Sequence, residues 1–325
     1  MRRFLRNFPS TTVVLYRDSG ELGNRLVSYA YLLAFGAEHG VKTHNLCFWR
    51  YSHLFEPIAR HGGVDTGGDT AGKAGFAERL LRGLLKLPCL SAFRRRFEFD
   101  GTLVTAPEAV ALRALNAAAT RLVQTIAHIL NRAGWIVREE NAWQHQCALL
   151  VPQRLEDLPY SDPALVKTHA DYLRARFCIA PPLRQQVKDF VEPLREHYDL
   201  LVGVHIRSGD YRHYRKGHWH FPPTTYRRVI EHLTALFTGK RTGFVLASDS
   251  SVPLESFAGL PVHVAPGHLA IDLYVLSECH LIVGPPSTFS GWASFVADKP
   301  IYFLETTDHL PSLDDLKATW TPQFY

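Results

Sequence analysis

The sequence predicts an α/β protein built on parallel, doubly wound sheets, and three features predict it. The chain opens with a strand, a glycine loop and a helix in that order. From Leu200 onward strands and helices alternate, the pattern of a parallel sheet. A length of 325 residues fits two compact domains. Hydrophobic residues make up 46% of the chain and charged residues 21%, the balance of a globular protein with a substantial core.

The first strand is read in the β-branched run Thr11-Thr12-Val13-Val14-Leu15-Tyr16. The glycine loop Asp18-Ser19-Gly20-Glu21-Leu22-Gly23-Asn24 follows, then a helix from about Leu26 to His39, closed by Gly40. This is the opening of a nucleotide-binding type of βα unit. Residues 62–75, rich in Gly, Asp and Thr, read as a mobile loop. Residues 76–97 carry Ala77, Leu80, Leu81, Leu84 and Leu85 at helical spacing, flanked by Arg79, Arg82, Lys86 and Arg94 to Arg96. They read either as a surface helix with a solvated basic face or as a peripheral contact with an anionic membrane.

The second half is more regular. Strands are expected at Leu201–Ile206, Phe244–Ala247, Val262–Val264, Leu281–Val283 and Ile301–Leu304. Helices are expected at Pro222–Phe237, Leu269–Cys279 and Ser290–Ala297. The domain boundary is placed between residues 180 and 200, where Pro181-Pro182 precedes a connecting helix, and drawn at 190/191.

Composition narrows the function. A net charge of +5 and a pI near 8.9 suit anionic small molecules or a membrane surface and give no footprint for nucleic acid. Cys47, Cys89, Cys147, Cys178 and Cys279 are scattered and odd in number, with no CxxC pair. Neither a disulfide framework nor a zinc knuckle is expected, and a reducing compartment is. No apolar run reaches the roughly eighteen residues a membrane span needs. The start, Met1-Arg2-Arg3-Phe4-Leu5-Arg6, is too short and too charged for a signal peptide, so a cytoplasmic protein is expected.

In open α/β sheets ligands bind beyond the carboxyl ends of the strands. Those ends carry Gly20 to Asn24, Arg207 to Tyr211, Ser248-Asp249 and Pro285 to Ser290. Strand alternation sends His205 and Arg207 to the same side. An arginine there offers a planar fork that fits phosphate, and Asp210 can orient it. An Arg–Asp pair that only ties the strand to its loop would use the same residues. Ser287, Thr288 and Ser290 at a helix start combine hydroxyls, free N–H groups and the positive end of the helix dipole. They would serve equally as ordinary N-caps.

These residues carry a family likeness. The run from Gly203 to Tyr211, Gly-Val-His-Ile-Arg-Ser-Gly-Asp-Tyr, resembles the HxRxGD signature of the GDP-fucose-dependent fucosyltransferase superfamily, which includes bacterial α-1,2- and the O- and α-1,6-fucosyltransferases. Gly20-Glu21-Leu22-Gly23-Asn24-Arg25-Leu26 is similar to the glycine loop near the start of those enzymes. Asp272-Leu273-Tyr274, followed by Ser287 to Ala293, resembles their Asp-Met-Tyr and Ser-Ser-Phe-Ser-Trp-Trp-Gly-Ala block. The chain departs from the pattern at Gly284-Pro285-Pro286, at Arg25, and at Gly291, which stands where a tryptophan is usual.

The resemblance implies a GT-B fold: two Rossmann-like domains with parallel sheets and a cleft between them. Residues 1–190 would form the acceptor side and 191–325 would hold the nucleotide sugar. Arg207 would take the β-phosphate, and His205 and Asp272 the guanosine. Ser287, Thr288 and Ser290 would add phosphate hydrogen bonds, Asp249 would shape the floor, and Gly23 and Asn24 would approach the donor from the first domain. It also implies inversion at the anomeric carbon. No Asp-x-Asp motif occurs, so Arg207 and the helix start are expected to stabilise the departing diphosphate without metal or other cofactor. Glu21 is the first candidate for the base and Asp210 the second, because pairing with Arg207 would weaken Asp210.

His213, His218 and His220 invite a zinc reading, but no carboxylate or cysteine completes the set nearby. Trp219 and Phe221 in the same segment are candidates for stacking on a sugar face. The expected acceptor is a glycan or lipid-linked saccharide, yet residues 45–160 carry no legible motif for it. Two alternatives stay open: a transferase of this fold using another nucleotide sugar, and a catalytically silent nucleotide- or glycan-binding module. A dehydrogenase and a P-loop kinase are set aside, since GxGxxG and GxxxxGK[ST] are both missing.

Overall fold

The computed structural model describes residues 12–17, 20–40, 42–45, 48, 51–56, 58, 66–67, 135–142, 145–152 and 162–323. The basic segment expected at 76–97 lies outside the described residues, as does most of the loop expected at 62–75. The chain divides into two compact units, Met1–Cys178 and Ile179–Tyr325.

In the first unit, strand β1 (Thr12–Arg17) leads through Gly20 into helix α1 (Leu22–His39), and β2 (Lys42–Asn45) returns parallel to β1. Helix α1 starts a turn earlier than its apolar pattern suggests and ends at Gly40, whose φ is 64°. It is buried on nearly every face, which is why its sequence reads apolar rather than amphipathic. An aromatic cluster packs on it: Tyr29 lies 5.0 Å from Phe48 and 5.4 Å from Phe177, ring centre to ring centre.

Strands β3 (Thr66–Gly67), β4 (Trp135–Ala142) and β5 (His145–Pro152) complete a sheet of order β3-β2-β1-β5-β4. Among the described strands of this sheet only β1 and β2 run parallel; β3, β4 and β5 pair antiparallel with their neighbours. The first sheet is therefore mixed where parallel was expected. The cause is local, because β4 and β5 are joined through residues 143 and 144 alone, and so short a link can only reverse the chain. Helices α2 (Pro163–Thr168) and α3 (Ala170–Arg176) close this unit against α1.

The second unit begins at the helix that the 190/191 boundary would have cut. Helix α4 (Pro181–His197) lies wholly within it, with proline at its first turn, where a missing N–H costs nothing. Strand β6 (Leu200–Ile206) follows, then α5 (Pro223–Leu236), β7 (Thr242–Ser248) and β8 (Val262–Val264). Helix α6 (Leu269–Ser277) leads to β9 (Leu281–Gly284), and α7 (Thr288–Ala297) to β10 (Ile301–Phe303). The sheet order is β10-β9-β6-β7-β8 and every pair is parallel.

Covered on both faces, β6, β7 and β9 read as continuous apolar runs. Val202, Val204 and Ile206 pack with Tyr226, Val229, Ile230 and Leu233 of α5. On the other face α6 comes so near β6 that a Cβ on Gly203 would stand 2.7 Å from Leu276. The chain builds outward from β6 to β8 and then crosses to β9 on the far side of β6. The order therefore reverses between β6 and β9, which makes their carboxyl ends the crevice where such sheets bind ligands.

The two strands meet closely there. A Cβ on Gly284 would stand 2.7 Å from the carbonyl oxygen of His205, a backbone atom with no freedom to move aside. Gly284→Ala is expected to lower the unfolding free energy by about 1–3 kcal/mol, the usual cost of overpacking. Urea unfolding checks it: the midpoint should fall with an unchanged slope, and an unmoved midpoint would mean that the strands part easily.

Candidate functional site

Arg207 is the first residue past β6, and Asp249 the first past the neighbouring β7. One oxygen of Asp249 accepts from the backbone N–H of Ser208 (2.9 Å) and of Gly209 (3.2 Å). The other accepts from Gly209 at 3.1 Å and lies 3.2 Å from a guanidinium nitrogen of Arg207. A Cβ on Gly209 would stand 2.8 Å from that carboxylate, so the turn requires glycine. Asp210 pairs with Arg207 from the opposite side, at 2.8 Å. Two carboxylates thus hold one guanidinium whose side chain is 20% exposed. Its Nε is buried and has no hydrogen-bond partner, leaving a donor ready for a further acceptor.

His205, one pleat back, is 2% exposed, and its ring lies 5.2 Å from that of Phe289. Burial drives its pKa down to about 3, the Arg207 charge adds to this, and Asp249 opposes it. The imidazole is therefore neutral at physiological pH, with one ring nitrogen a donor and the other an acceptor. Its Nδ1 is buried without a partner.

On the β9 side of the crevice stands the start of α7. Tyr211 crosses to it, its hydroxyl donating to the carbonyl of Pro286 at 2.6 Å. Burial pushes the Tyr211 phenol up to about 12, against the pull of Arg207. Ser287 caps α7, its hydroxyl accepting from the Phe289 N–H at 3.3 Å. Ser290 is wholly buried and donates to the Ser287 carbonyl. Of the three hydroxyls expected to meet a phosphate, Ser287 and Ser290 are thus engaged in their own helix, and Thr288 is half-buried. Trp320 fills the space over Gly291, where a Cβ would stand 2.8 Å from its indole. That packing accounts for glycine at the position where the resembled block has a tryptophan.

Asp272 lies in the first turn of α6, buried, with one oxygen accepting from the Gly267 N–H at 3.0 Å. Burial raises its pKa to about 6, while backbone hydrogen bonds from Gly267 and His268 pull the other way. The second unit therefore gathers His205, Arg207, Asp210 and Asp249 into one cluster, with Ser287 and Thr288 joined to it through Tyr211, and holds Asp272 on α6.

Glu21, Gly23 and Asn24 sit in the first unit. Glu21 is the N-cap of α1 and accepts a 2.6 Å hydrogen bond from the Tyr51 hydroxyl. The Asn24 side chain folds against Gly20, and Gly23 is buried in the first turn. Arg25 donates to the Gly20 carbonyl at 3.0 Å, which closes the loop.

The segment after the cluster differs from expectation. Trp219 and Phe221 are only 8% and 5% exposed and belong to the core beneath α5, so neither stands out as an exposed platform on which a sugar ring could stack. The Arg215 guanidinium covers Trp219 from 4.7 Å instead. Among the described residues no three His, Cys, Asp or Glu side chains come together in a group that could hold a metal ion. No helix among them is long and apolar enough to cross a membrane. Sequence reasoning missed the role of Tyr211 as a stitch, and Ser250, Ser251 and Glu255 beyond β7. A run of serines past a strand end was the available signal.

Fold and site together define an α/β chain with an arginine held by two carboxylates at a topological switch point. No family model matches the chain, and no curated protein matches it. Among solved structures it is similar to NodZ α-1,6-fucosyltransferase co-crystallised with GDP, at 15% identity over 90% of this chain and 94% of that one, with a TM-score of 0.48. It is also similar to selenomethionine fucosyltransferase NodZ from Bradyrhizobium, at 16% identity over 93% and 98%, with a TM-score of 0.49. A mutant of Arabidopsis thaliana FUT1 in complex with GDP aligns over 45% of this chain and 37% of its own, at 16% identity and a TM-score of 0.32.

Asp272 makes stability depend on pH in a stated direction. Its pKa is raised in the folded state, so the fold binds its proton more tightly than the unfolded chain does. The group therefore favours folding below about pH 4 and loses that contribution as pH rises through about 6, by roughly 2–3 kcal/mol in all. Asp272→Asn should remove this slope. Urea titrations of both proteins from pH 4 to 7 check it, and parallel curves would refute the shift.

Proposed function

We propose that this chain is a glycosyltransferase of the GT-B class that takes a GDP-linked sugar, L-fucose from GDP-fucose, and passes it to a glycan or lipid-linked saccharide with inversion and without metal. The observation that carries this reading is Arg207, clamped by Asp210 and Asp249 at the switch point, with an unused buried Nε and the start of α7 across the crevice.

The chemistry follows from those groups. As the bond from the anomeric carbon to the diphosphate breaks, negative charge grows on the leaving oxygens. A guanidinium already fixed by two carboxylates pays no reorganisation cost in meeting that charge. The α7 N-terminus adds its dipole from the β9 side. Neutral His205 and the Asp272 carboxylate suit a purine base: the imidazole offers one donor and one acceptor, the carboxylate accepts from N–H groups. Ser287 serves mainly by holding the cap of α7, and Thr288 stands beside it at the start of that helix, where a phosphate would meet the helix N-terminus. Glu21 is assigned the acceptor's proton, supported by its place in the glycine loop and by the Tyr51 hydroxyl that orients it. Gly23 and Asn24 keep that loop in shape. Asp210 stays second for the role, since it is engaged in the ion pair with Arg207.

Calorimetry with GDP, GDP-fucose, GDP-mannose and UDP-glucose in the absence of divalent metal tests the donor. GDP and GDP-fucose should bind, and Arg207→Ala should weaken both by roughly a hundredfold, the cost of a charge-assisted bidentate contact. Failure of every guanine nucleotide to bind would sink the donor assignment, and binding of GDP with GDP-mannose preferred would move it to another sugar. For the base, Glu21→Gln should lower turnover of GDP-fucose, read as GDP released, by about 10²–10⁴-fold with donor affinity unchanged. Undiminished turnover would remove Glu21 from the role.

A further inference from the structure

A second hollow, of about 440 Å³, opens on the β7 side of the Arg207 turn, away from the β6–β9 crevice. Its volume falls within the range of small-molecule sites, ~300–1,000 Å³. Its polar wall is made by Ser208, Arg212, His220, Ser250, Ser251 and Glu255, and Phe221 and Pro253 supply apolar surface. Pro223, the first residue of α5, also lines it, so the positive end of that 14-residue helix meets the hollow.

The segment between Arg212 and His220 is held in an unusual backbone. Arg215 and Lys216 adopt φ of 46° and 60°, side by side in the left-handed region, which costs side-chain-bearing residues energy. The packing of Arg215 on Trp219 offsets this cost and turns the chain back on itself. The result sets Arg212 and His220, eight positions apart in sequence, on the wall of one hollow.

We propose that this hollow is a subsite for an anionic sugar, one carrying a carboxylate or a phosphate, within the saccharide acceptor. Arg212 and His220 meet the anionic group. The serine hydroxyls of 208, 250 and 251 exchange hydrogen bonds with the ring hydroxyls. Glu255, the one carboxylate among the described lining residues, accepts from sugar hydroxyls and disfavours a bare anion that has none to donate. The assignment rests on reading the second unit as a sugar transferase, and it names a class of acceptor for that site.

Saturation-transfer NMR on the full chain tests it, with glucuronate, glucose 1-phosphate, glucose and inorganic phosphate as probes, each with and without saturating GDP. At least one anionic sugar should bind in the presence of GDP, and which one binds tells a uronate from a sugar phosphate. Arg212→Ala, at an exposed side chain, and Ser251→Phe, which fills the hollow, should each raise its Kd about tenfold or more. Four results would overturn the assignment: neither anionic sugar binds; glucose or phosphate alone binds as well; the two variants bind as the parent does; or GDP displaces the sugar, which would make the hollow part of the donor site. GDP binding, read separately through Arg207→Ala, shows whether the donor reading fails instead.

Discussion

The Asp249 carboxylate is the contact on which the second unit's site depends. It accepts from two backbone N–H groups of the 208–209 turn, that of Gly209 shared between both its oxygens, and pairs with Arg207; a hydrogen bond to a charged group contributes about 1.5–3 kcal/mol. The acid belongs to β7 and the turn to β6, so the arginine's aim is set by the registry of two parallel strands. The carboxylate also occupies the space beside Gly209, which ties the identity of a loop glycine to an acid forty residues downstream.

Around that contact the electrostatics are arranged as opposed pairs. Arg207 is buried enough to need both its carboxylates, and its charge helps keep His205 neutral. Asp272 lies deep enough for burial to outweigh two backbone donors. Tyr211 joins the β6 turn to the loop before α7 and keeps the two banks of the crevice in register. These are groups whose protonation the fold has set before any ligand arrives, which is what preorganisation requires.

Parts of this were legible in the residues alone. The second sheet was, because strands buried on both faces must be apolar throughout and the turn and cap residues between them mark where each helix starts and stops. Placement of Arg207, Asp210 and Asp249 at strand ends followed from that. The antiparallel β4–β5 pair was not, since Arg138-Glu139-Glu140 interrupts any alternation in β4 and its pairing with β5 is decided by the partner strand. Trp219 and Phe221 read as exposed stacking platforms because aromatics in a basic loop look available. Their burial beneath α5 follows from the backbone reversal at Arg215 and Lys216, which no residue type announces.

Local periodicity is enough for the α/β class, the order of elements in the second unit and the residue types at each strand end. Tertiary structure alone decided which ends meet. Strand order put β9 beside β6 and made the crevice, brought Asp249 to the Arg207 turn, set Trp320 over Gly291, and opened a hollow between the 208–220 segment and the residues after β7. Those are distances between residues far apart in the chain, and they follow from the packing of the whole unit, not from any local preference.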